Sequence, residues 1–565
     1  MINFSRLNHL NEHIEWLQSQ MQTEDFYLVW GVVRDLLLWI DKPIIDIDIT
    51  GPHHPDQWWD MIDKSNISTF RTEKFGTMTM VTQWRIHYEI TPFRCEGWYQ
   101  DFRHPWEIQW SKSLLDDAKR RDFTINCIYY KQWIVNNRQW NIKNVSQISF
   151  DSEKYVRQGY WYDEASGTLS ICNHEFIQKV QSSSNIFDAV NCFMPHNNEK
   201  DQKWSLQLSA FSVIEHLLLD PYQWLVDLCE GILRCVGEPD HRFQEDALRI
   251  LRWTRFVNTL NQTSQNSRDF HRDTWRSMQK YHFLVQYLAK ERIKQEIIKV
   301  FSMKNPFGYV ALLDELKLLH IIFPSVARIK WLDQPVRYHP LDTYHHTLMT
   351  LWHLQKLNNN YLVKLAMLYH DVGKVEQYKL YNIGLTREEM TLVHGSWLNH
   401  TVCGPDFVRR DFAVLWFSNA EIDHIAWLVQ YHMYPWQILM AKPENQIKKL
   451  RTLLAESSYE QMQDLLDVME GDRLWHYNPL QSQSDVDGPE QLRIMLDKIY
   501  HEEGQITLKS LAVDGQILIE VLKIQPSKIL GKTLQKCLEY VLGDPKRNTK
   551  EELIKFAKKE YKKLG

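Results

Sequence analysis

Asp46 and Asp48 stand two apart in the segment IIDIDIT (44–50), where apolar and acidic residues alternate with period two. Read as a half-buried strand, the segment sends both carboxylates off one face, and paired carboxylates are hard oxygen ligands that suit Mg²⁺. Just upstream, YLVWGVVRDLLL (27–38) reads as an apolar strand, a turn at Gly31 and a helix that carries Arg34. Backbone N–H groups at such a helix start can hold phosphates. This is equipment for in-line attack of a hydroxyl on an α-phosphate, with two metal ions stabilising the attacking and leaving oxygens. A solvated edge strand with two ordinary acids is the alternative that a D-x-D pattern alone leaves open.

Later, Asp246 and Arg249 are three apart in a stretch of helical period, and Arg252 and Arg255 follow at three-residue steps. On one helix face, an acceptor beside a multi-donor fork pairs with the Watson–Crick edge of C or A but not of G or U. An i,i+3 surface ion pair explains one such pair, but not three arginines behind one acid.

The elements that must position these groups imply an α+β fold. It is a small mixed-sheet head followed by a long all-α neck, a body and a tail. The head is expected over 1–132, with Thr77–Val81 and Arg85–Ile90 as paired strands joined at Gln83-Trp84. Residues 133–217 are polar, rich in Asn and Ser and weakly periodic. They are expected to be an insertion of unknown role, a hairpin followed by a mobile stretch. From 218 the pattern is helical: a neck (218–325), the body (326–440) and the tail (441–565). Amphipathic spacing recurs at 245–260, 345–357, 361–371, 421–432 and 551–563.

Bulk properties set the surroundings. The chain has 565 residues and a net charge of −5, so nucleic-acid binding needs a local basic face. Eight cysteines without a C-x-x-C argue against a zinc ribbon or a disulfide scaffold. They read as reduced thiols. No run approaches the ~18 apolar residues of a membrane span, so a cytoplasmic location is expected and no membrane partner. Oligomeric state leaves no trace in the sequence.

The motifs LVxGxVRDLLL, DIDI, RRDFTIN (120–126), DPYQWLVDL (220–228) and RFQEDALRILR (242–252) occur in this order. Together they resemble the class II tRNA nucleotidyltransferases, the family of bacterial CCA-adding enzymes and poly(A) polymerases. The resemblance implies that Asp46 and Asp48 bind two catalytic Mg²⁺ ions and that Gly31 and Arg34 meet the triphosphate. It also implies that Arg121 contacts the nucleotide, and that Asp246 and Arg249 read the base with Arg252 and Arg255 close by. Glu89 is either a further acid near the metals or a strand-edge charge. The implied reaction is addition of C, C and A to tRNA 3′ ends from CTP and ATP. Partial addition and poly(A) synthesis are alternatives within the family.

His345-His346-Thr347 and Tyr369-His370-Asp371-Val372-Gly373-Lys374 resemble the HD phosphohydrolase superfamily. That implies a divalent-metal triad of His346, His370 and Asp371, with His394 and His432 as further ligands and Asp423 as candidate for the final acid. The domain is either active or retained for structure alone. The segments 471–480, 510–522 and 530–559 resemble the family's tRNA-gripping tail. There Lys546, Arg547, Lys550, Lys558 and Lys559 either contact phosphates or form a solvated face.

One ratio is out of line. The chain has 23 Trp and 20 Gly, where average usage of about 7% predicts roughly 40 glycines. Trp30, Trp39, Trp224 and Trp475 stand where the family has glycine, and Trp84 stands at an expected hairpin tip. We expect many of these to be glycine in the organism, from UGA codons read there as glycine and translated here as tryptophan. Drift toward aromatic residues is the bland alternative. If Trp30 is genuine, it crowds the phosphate turn, and a non-catalytic tRNA-binding protein or an HD phosphohydrolase becomes the competing function.

Overall fold

The computed structural model describes residues 4–564 apart from 24, 30, 38–42, 63, 65–66, 73–75, 98–107, 136–157, 164–167, 173–212, 223–226, 228–231, 262–270, 334–340, 377–398 and 474–487. The chain forms two compact units, Met1–Leu288 and Ala289–Gly565. The expected neck therefore straddles the division.

The first unit is built on β1 (Tyr27–Val29), β2 (Asp46–Gly51), β3 (Ser68–Thr72), β4 (Thr77–Val81), β5 (His87–Pro92), β6 (Arg94–Glu96), β7 (Ile108–Trp110), β8 (Tyr129–Val135), β9 (Gln158–Asp163), β10 (Thr168–Cys172) and β11 (Val213–Asp220). Nine of these make one mixed sheet in the order β10-β9-β11-β8-β1-β2-β5-β4-β3. Ile47, Ile49, Tyr88 and Ile90 are buried and alternate with the acids, which fixes the face each strand turns inward. The expected boundaries at 132 and 217 fall inside β8 and β11. Those strands pair with each other, and β11 also pairs with β9, so the ladder continues through the expected insertion. β9 and β10 form a hairpin. The mobile stretch expected beyond it lies outside the described residues.

The tip between β4 and β5 departs from expectation. Arg85 N–H donates to Thr82 O at 2.9 Å, and Thr82 N–H donates to Ile86 O at 3.1 Å. The left-handed residue is Arg85 (φ 60°). The loop is thus a turn followed by a bulge, and the glycine-favouring position is 85, one beyond Trp84.

The second unit is helical. Its helices include Thr343–Leu354, Tyr361–Tyr369, Asn419–Tyr431 and Lys550–Leu564, close to the expected spans. Among the described residues no helix is long and apolar enough to cross a membrane. Cys127, Cys235 and Cys537 are buried free thiols.

Trp30, Trp39, Trp224 and Trp475 lie outside the described residues, but two other tryptophans bear on the glycine deficit. Trp331 (φ 62°) and Trp416 (φ 61°) occupy the left-handed region. They are 78% and 63% exposed, so neither indole is packed away in compensation. Trp416 closes the helix His400–Val414: Phe417 N–H donates to Phe412 O at 3.1 Å and Trp416 N–H to Ala413 O at 3.1 Å. That double closure normally uses glycine at the position of Trp416. Replacing Trp416→Gly should stabilise the chain by about 1 kcal/mol, and Trp416→Ala by much less. Urea unfolding midpoints of the three proteins check this, and UGA at codons 331 and 416 would confirm the cause.

Candidate functional site

The parallel pairing of β2 with β5 sets Asp48 beside Glu89 and Asp46 beside His87. With side chains alternating along each strand, Asp46, Asp48 and Glu89 leave the sheet on one face. Asp46 and Glu89 face solvent and Asp48 is half-buried. Burial, followed by Glu89 and then Asp46, pushes the Asp48 carboxyl up to about 7 against the pull of Arg121 and Arg34. Burial and Asp46 likewise raise Glu89. Carboxylates that raise one another are short of positive charge, and an all-oxygen donor set fits Mg²⁺.

The helix Gly31–Leu37 follows β1 directly. Arg34 is buried and grips Asp35 Oδ1 through Nε (2.8 Å) and Nη2 (2.6 Å). A Cβ added at Gly31 would sit 3.8 Å from Arg34 Nη2, so this glycine borders the guanidinium without close contact.

Arg121 is placed differently from expectation. It is 4% exposed and donates to Asp117 Oδ2 (3.0 and 2.6 Å), the Tyr129 hydroxyl (2.9 Å) and Asn126 O (3.1 Å). Its donors face the interior because buried Asp117 needs them, so it is an internal strut and not an open nucleotide contact. Next to it, burial alone would raise Asp122, but Arg252 at 3.0 Å together with Asn126, Arg249 and the Phe123 N–H holds it below the usual carboxylate range.

Asp246 and Arg249 do not share one helix face. The helix Pro239–Glu245 ends before Asp246, whose backbone is extended, and a new helix runs over Leu248–Asn261. Asp246 Oδ1 accepts from the Leu248 N–H at 3.0 Å. Local side-chain capping wins over helix continuation, as it commonly does for Asp. Arg249 instead meets Glu245 Oε2 at 2.7 Å and Arg242 O at 2.8 Å. Arg252 and Arg255 lie on the second helix beside Phe256.

In the second unit, His346, His370 and Asp371 are brought together as expected, and Asp371 also joins His400 and His432. Among the described residues, only these two groups bring three ligand atoms within 4.8 Å of one another. Asp371 Oδ2 is 3.3 Å from His370 Nε2 and 3.7 Å from His346 Nε2, while its Oδ1 is 3.4 Å from His400 Nε2. The acid that packs against this cluster is Asp472, 3.0 Å from His346 and 3.5 Å from His370. Asp423 is exposed and takes no part. His394 lies outside the described residues. Asp472 was legible as an acid on the apolar stripe Leu465, Val468, Met469 of its helix, but the sequence reading assigned that segment to the tail. Lys374, 2.6 Å from Asp371 Oδ2, and His400 were also missed.

The imidazoles are oriented from behind. His370 Nδ1 is 2.7 Å from Met367 O and His432 Nδ1 is 2.8 Å from Val429 O. Each Nδ1–H therefore donates to a carbonyl and turns Nε2 inward; against its burial, the Asp371 and Asp472 carboxylates raise His370 to about 10, so its Nε2 carries a proton that a metal ion would displace. His370 Nε2 has no hydrogen-bond partner although it is buried. His432 Nε2 lies 3.1 Å from His400 Nε2. Burial and the neighbouring imidazoles push His432 down to about 3, so it is neutral and ready to ligate. Imidazoles with carboxylates fit a divalent transition metal.

Close helix contacts make this cluster possible. A Cβ on Gly373 would lie 2.1 Å from His400 O, and one on Gly471 would lie 2.8 Å from Met367 Cε. Glycine at 373 is thus required for His400 to reach Asp371, whereas at 471 the movable end of Met367 could give way.

In the tail, Lys546, Lys550, Lys558 and Lys559 are exposed. Arg547 lies over the Tyr540 ring at 4.5 Å, and Tyr540 stacks on Phe556 at 4.1 Å. Buried Leu553 and Ala557 mark the inward side of the last helix, leaving its lysines to solvent.

The chain matches the family models described as "Poly A polymerase head domain" over 26–142, "Probable RNA and SrmB-binding site of polymerase A" over 269–330 and "HD domain" over 343–469. A model of tRNA nucleotidyltransferase domain 2 matches 409–557. It is 28% identical to the CCA-adding enzyme of Ligilactobacillus salivarius over 50% of this chain and 46% of that one. It is 24% identical to that of Enterococcus faecalis over 95% and 92%. The alignments to the first curated relatives span about half of their length. In fold the chain is similar to the CCA-adding enzyme of Bacillus stearothermophilus in complex with CTP, with TM-score 0.51 and 18% identity over 99% of this chain and 98% of that one. Along the chain, the head, RNA-binding and HD models of poly(A) polymerase and tRNA nucleotidyltransferase type thus match in this order.

Proposed function

We propose that the chain is a nucleotidyltransferase that adds C, C and A to tRNA 3′ ends from CTP and ATP without a nucleic-acid template. The observation that carries this reading is the register of β2 and β5, which puts three acids on one face of the head sheet. The names of the relatives support the choice of CCA addition. Asp46, Asp48 and Glu89 would hold Mg²⁺, which neutralises charge on the attacking and leaving oxygens when bound. Arg34 and Gly31 border the phosphates. Asp246, at the break before the second helix, and Arg249, in its first turn, would read the base, with Arg252 and Arg255 further along that helix. Lys546, Arg547, Lys550, Lys558 and Lys559 contact the tRNA backbone.

A second activity, divalent-metal-dependent phosphoester hydrolysis at the HD cluster, is favoured by the inward-facing Nε2 atoms of His370 and His432. His346, His370 and Asp472 would hold an ion on one side of Asp371, and His400 and His432 on the other. A divalent ion there polarises a phosphoryl oxygen. Lys374 offsets the charge of the shared carboxylate.

Incubating tRNA that ends at the discriminator base with CTP and ATP should give a three-nucleotide extension. Asp48→Asn should slow it by several kcal/mol of barrier, roughly 10³-fold. Long tails with ATP alone would instead identify a poly(A) polymerase. Because Asp48 titrates near 7, it is largely protonated at pH 6, and Mg²⁺ must displace that proton. Magnesium affinity should therefore fall as pH drops through 7, with proton release visible by calorimetry in two buffers. For the HD cluster, Gly373→Ala forces its two helices apart at a cost of about 1–3 kcal/mol. The variant should lose most of the divalent metal that the parent chain retains after dialysis, as read by elemental analysis.

A further inference from the structure

Three arginines from two sequence-remote elements meet at one aromatic ring. The guanidinium carbon of Arg255 lies 4.2 Å from the centroid of Phe256, that of Arg34 5.3 Å and that of Arg252 5.8 Å. Arg34 belongs to the helix after β1, whereas Arg252, Arg255 and Phe256 belong to the helix Leu248–Asn261. The ring is 3% exposed and is fixed from behind by Phe123, edge-on at 5.9 Å. Like charges repel, so three guanidiniums gather only where something holds them. Two are tied by carboxylates, Arg34 to Asp35 at 2.6 Å and Arg252 to Asp122 at 3.0 Å. The shared neighbour of all three is the ring.

We infer that Phe256 is a positioning residue for the triphosphate: its π face gathers Arg34, Arg252 and Arg255 into one preassembled polyanion clamp. This rests on the nucleotidyltransferase reading above. A guanidinium is attracted by the ring quadrupole while its N–H donors lie in its own plane and point away from the ring. A buried ring also costs nothing to order when ligand arrives, since it is already locked by Phe123. Without it, three long side chains would have to be immobilised against their mutual repulsion at each binding event. The clamp spans the β1–helix segment and the base-reading helix, so it couples phosphate binding to the part of the chain that reads the base.

The test separates the quadrupole from mere packing. Phe256 is replaced in the full chain by its mono-, di- and trifluoro analogues, which keep volume nearly constant while draining the π face. Binding of ATP and of inorganic triphosphate is measured by calorimetry. Affinity for both should fall stepwise with fluorine content, to about tenfold at three fluorines, with the thermal midpoint unchanged. Phe256→Leu should raise the KM for nucleotide about as much while leaving kcat within about twofold. Equal affinity across the fluorine series overturns the inference, as does absence of triphosphate binding by the parent chain. A stepwise fall in a chain that extends no tRNA would leave the clamp standing and refute the proposed reaction. A tRNA-extending chain indifferent to fluorine would do the reverse.

Discussion

The ion pair between Asp122 and Arg252 is the constraint on which the head's chemistry depends. A carboxylate buried to this degree is costly unless charge and hydrogen bonds compensate it. Asp122 obtains compensation from Arg252, Asn126 and the Phe123 N–H, and its carbonyl accepts from Val236 N–H at 3.1 Å. Around it, Arg242 Nη2 reaches the carbonyls of Arg120 and Arg121, and Thr124 Oγ1 reaches Asp227. The segment RRDFTIN thus fastens the sheet that bears the acids to the helices that bear the arginines. The acids are fixed by strand register, the arginines by this segment. Neither set alone is a site.

This division explains what could be read from the sequence. Period-two alternation in IIDIDIT located the acids, because burial of Ile47 and Ile49 dictates which face the aspartates must take. The helical spans of the second unit were equally legible, since apolar spacing alone specifies them. Arg121 was misjudged because a motif arginine and a buried strut look alike until its partner Asp117 is seen. Asp246 was misplaced because hydrophobic period runs straight through 245–260, while a single side-chain cap breaks the helix there. Asp472 sits 101 residues past Asp371, and only tertiary packing brings them together. Trp84 shows the same limit at small scale: one bulge moves the left-handed position to the next residue.

Glycine is used here in two ways, and they are affected differently by its scarcity. At Gly471 a Cβ would meet only the movable end of Met367, whereas at Gly373 it would collide with the backbone carbonyl of His400. No tryptophan fits such a place. Left-handed turns are more forgiving, because an exposed side chain can project outward and only backbone strain is incurred. Trp331 and Trp416 occupy such turns. A tryptophan-for-glycine exchange would be tolerated at exposed left-handed turns, where the cost is about 1–2 kcal/mol per residue. Within packed helix crossings it would be prohibitive.

The two metal-competent clusters follow opposite electrostatic designs. The head places acids at a solvent-facing edge, with arginines beside them, so its charge is balanced by whatever enters: cation and polyanion together. The HD cluster is buried, supplies imidazoles of which His370 and His432 are oriented by backbone carbonyls, and shares one carboxylate between two groups. Hard oxygens at an open edge favour an exchangeable ion that arrives with nucleotide. Buried nitrogens already aimed inward favour an ion that stays. The same chain can therefore hold one metal site that turns over with substrate and another that is part of its own architecture.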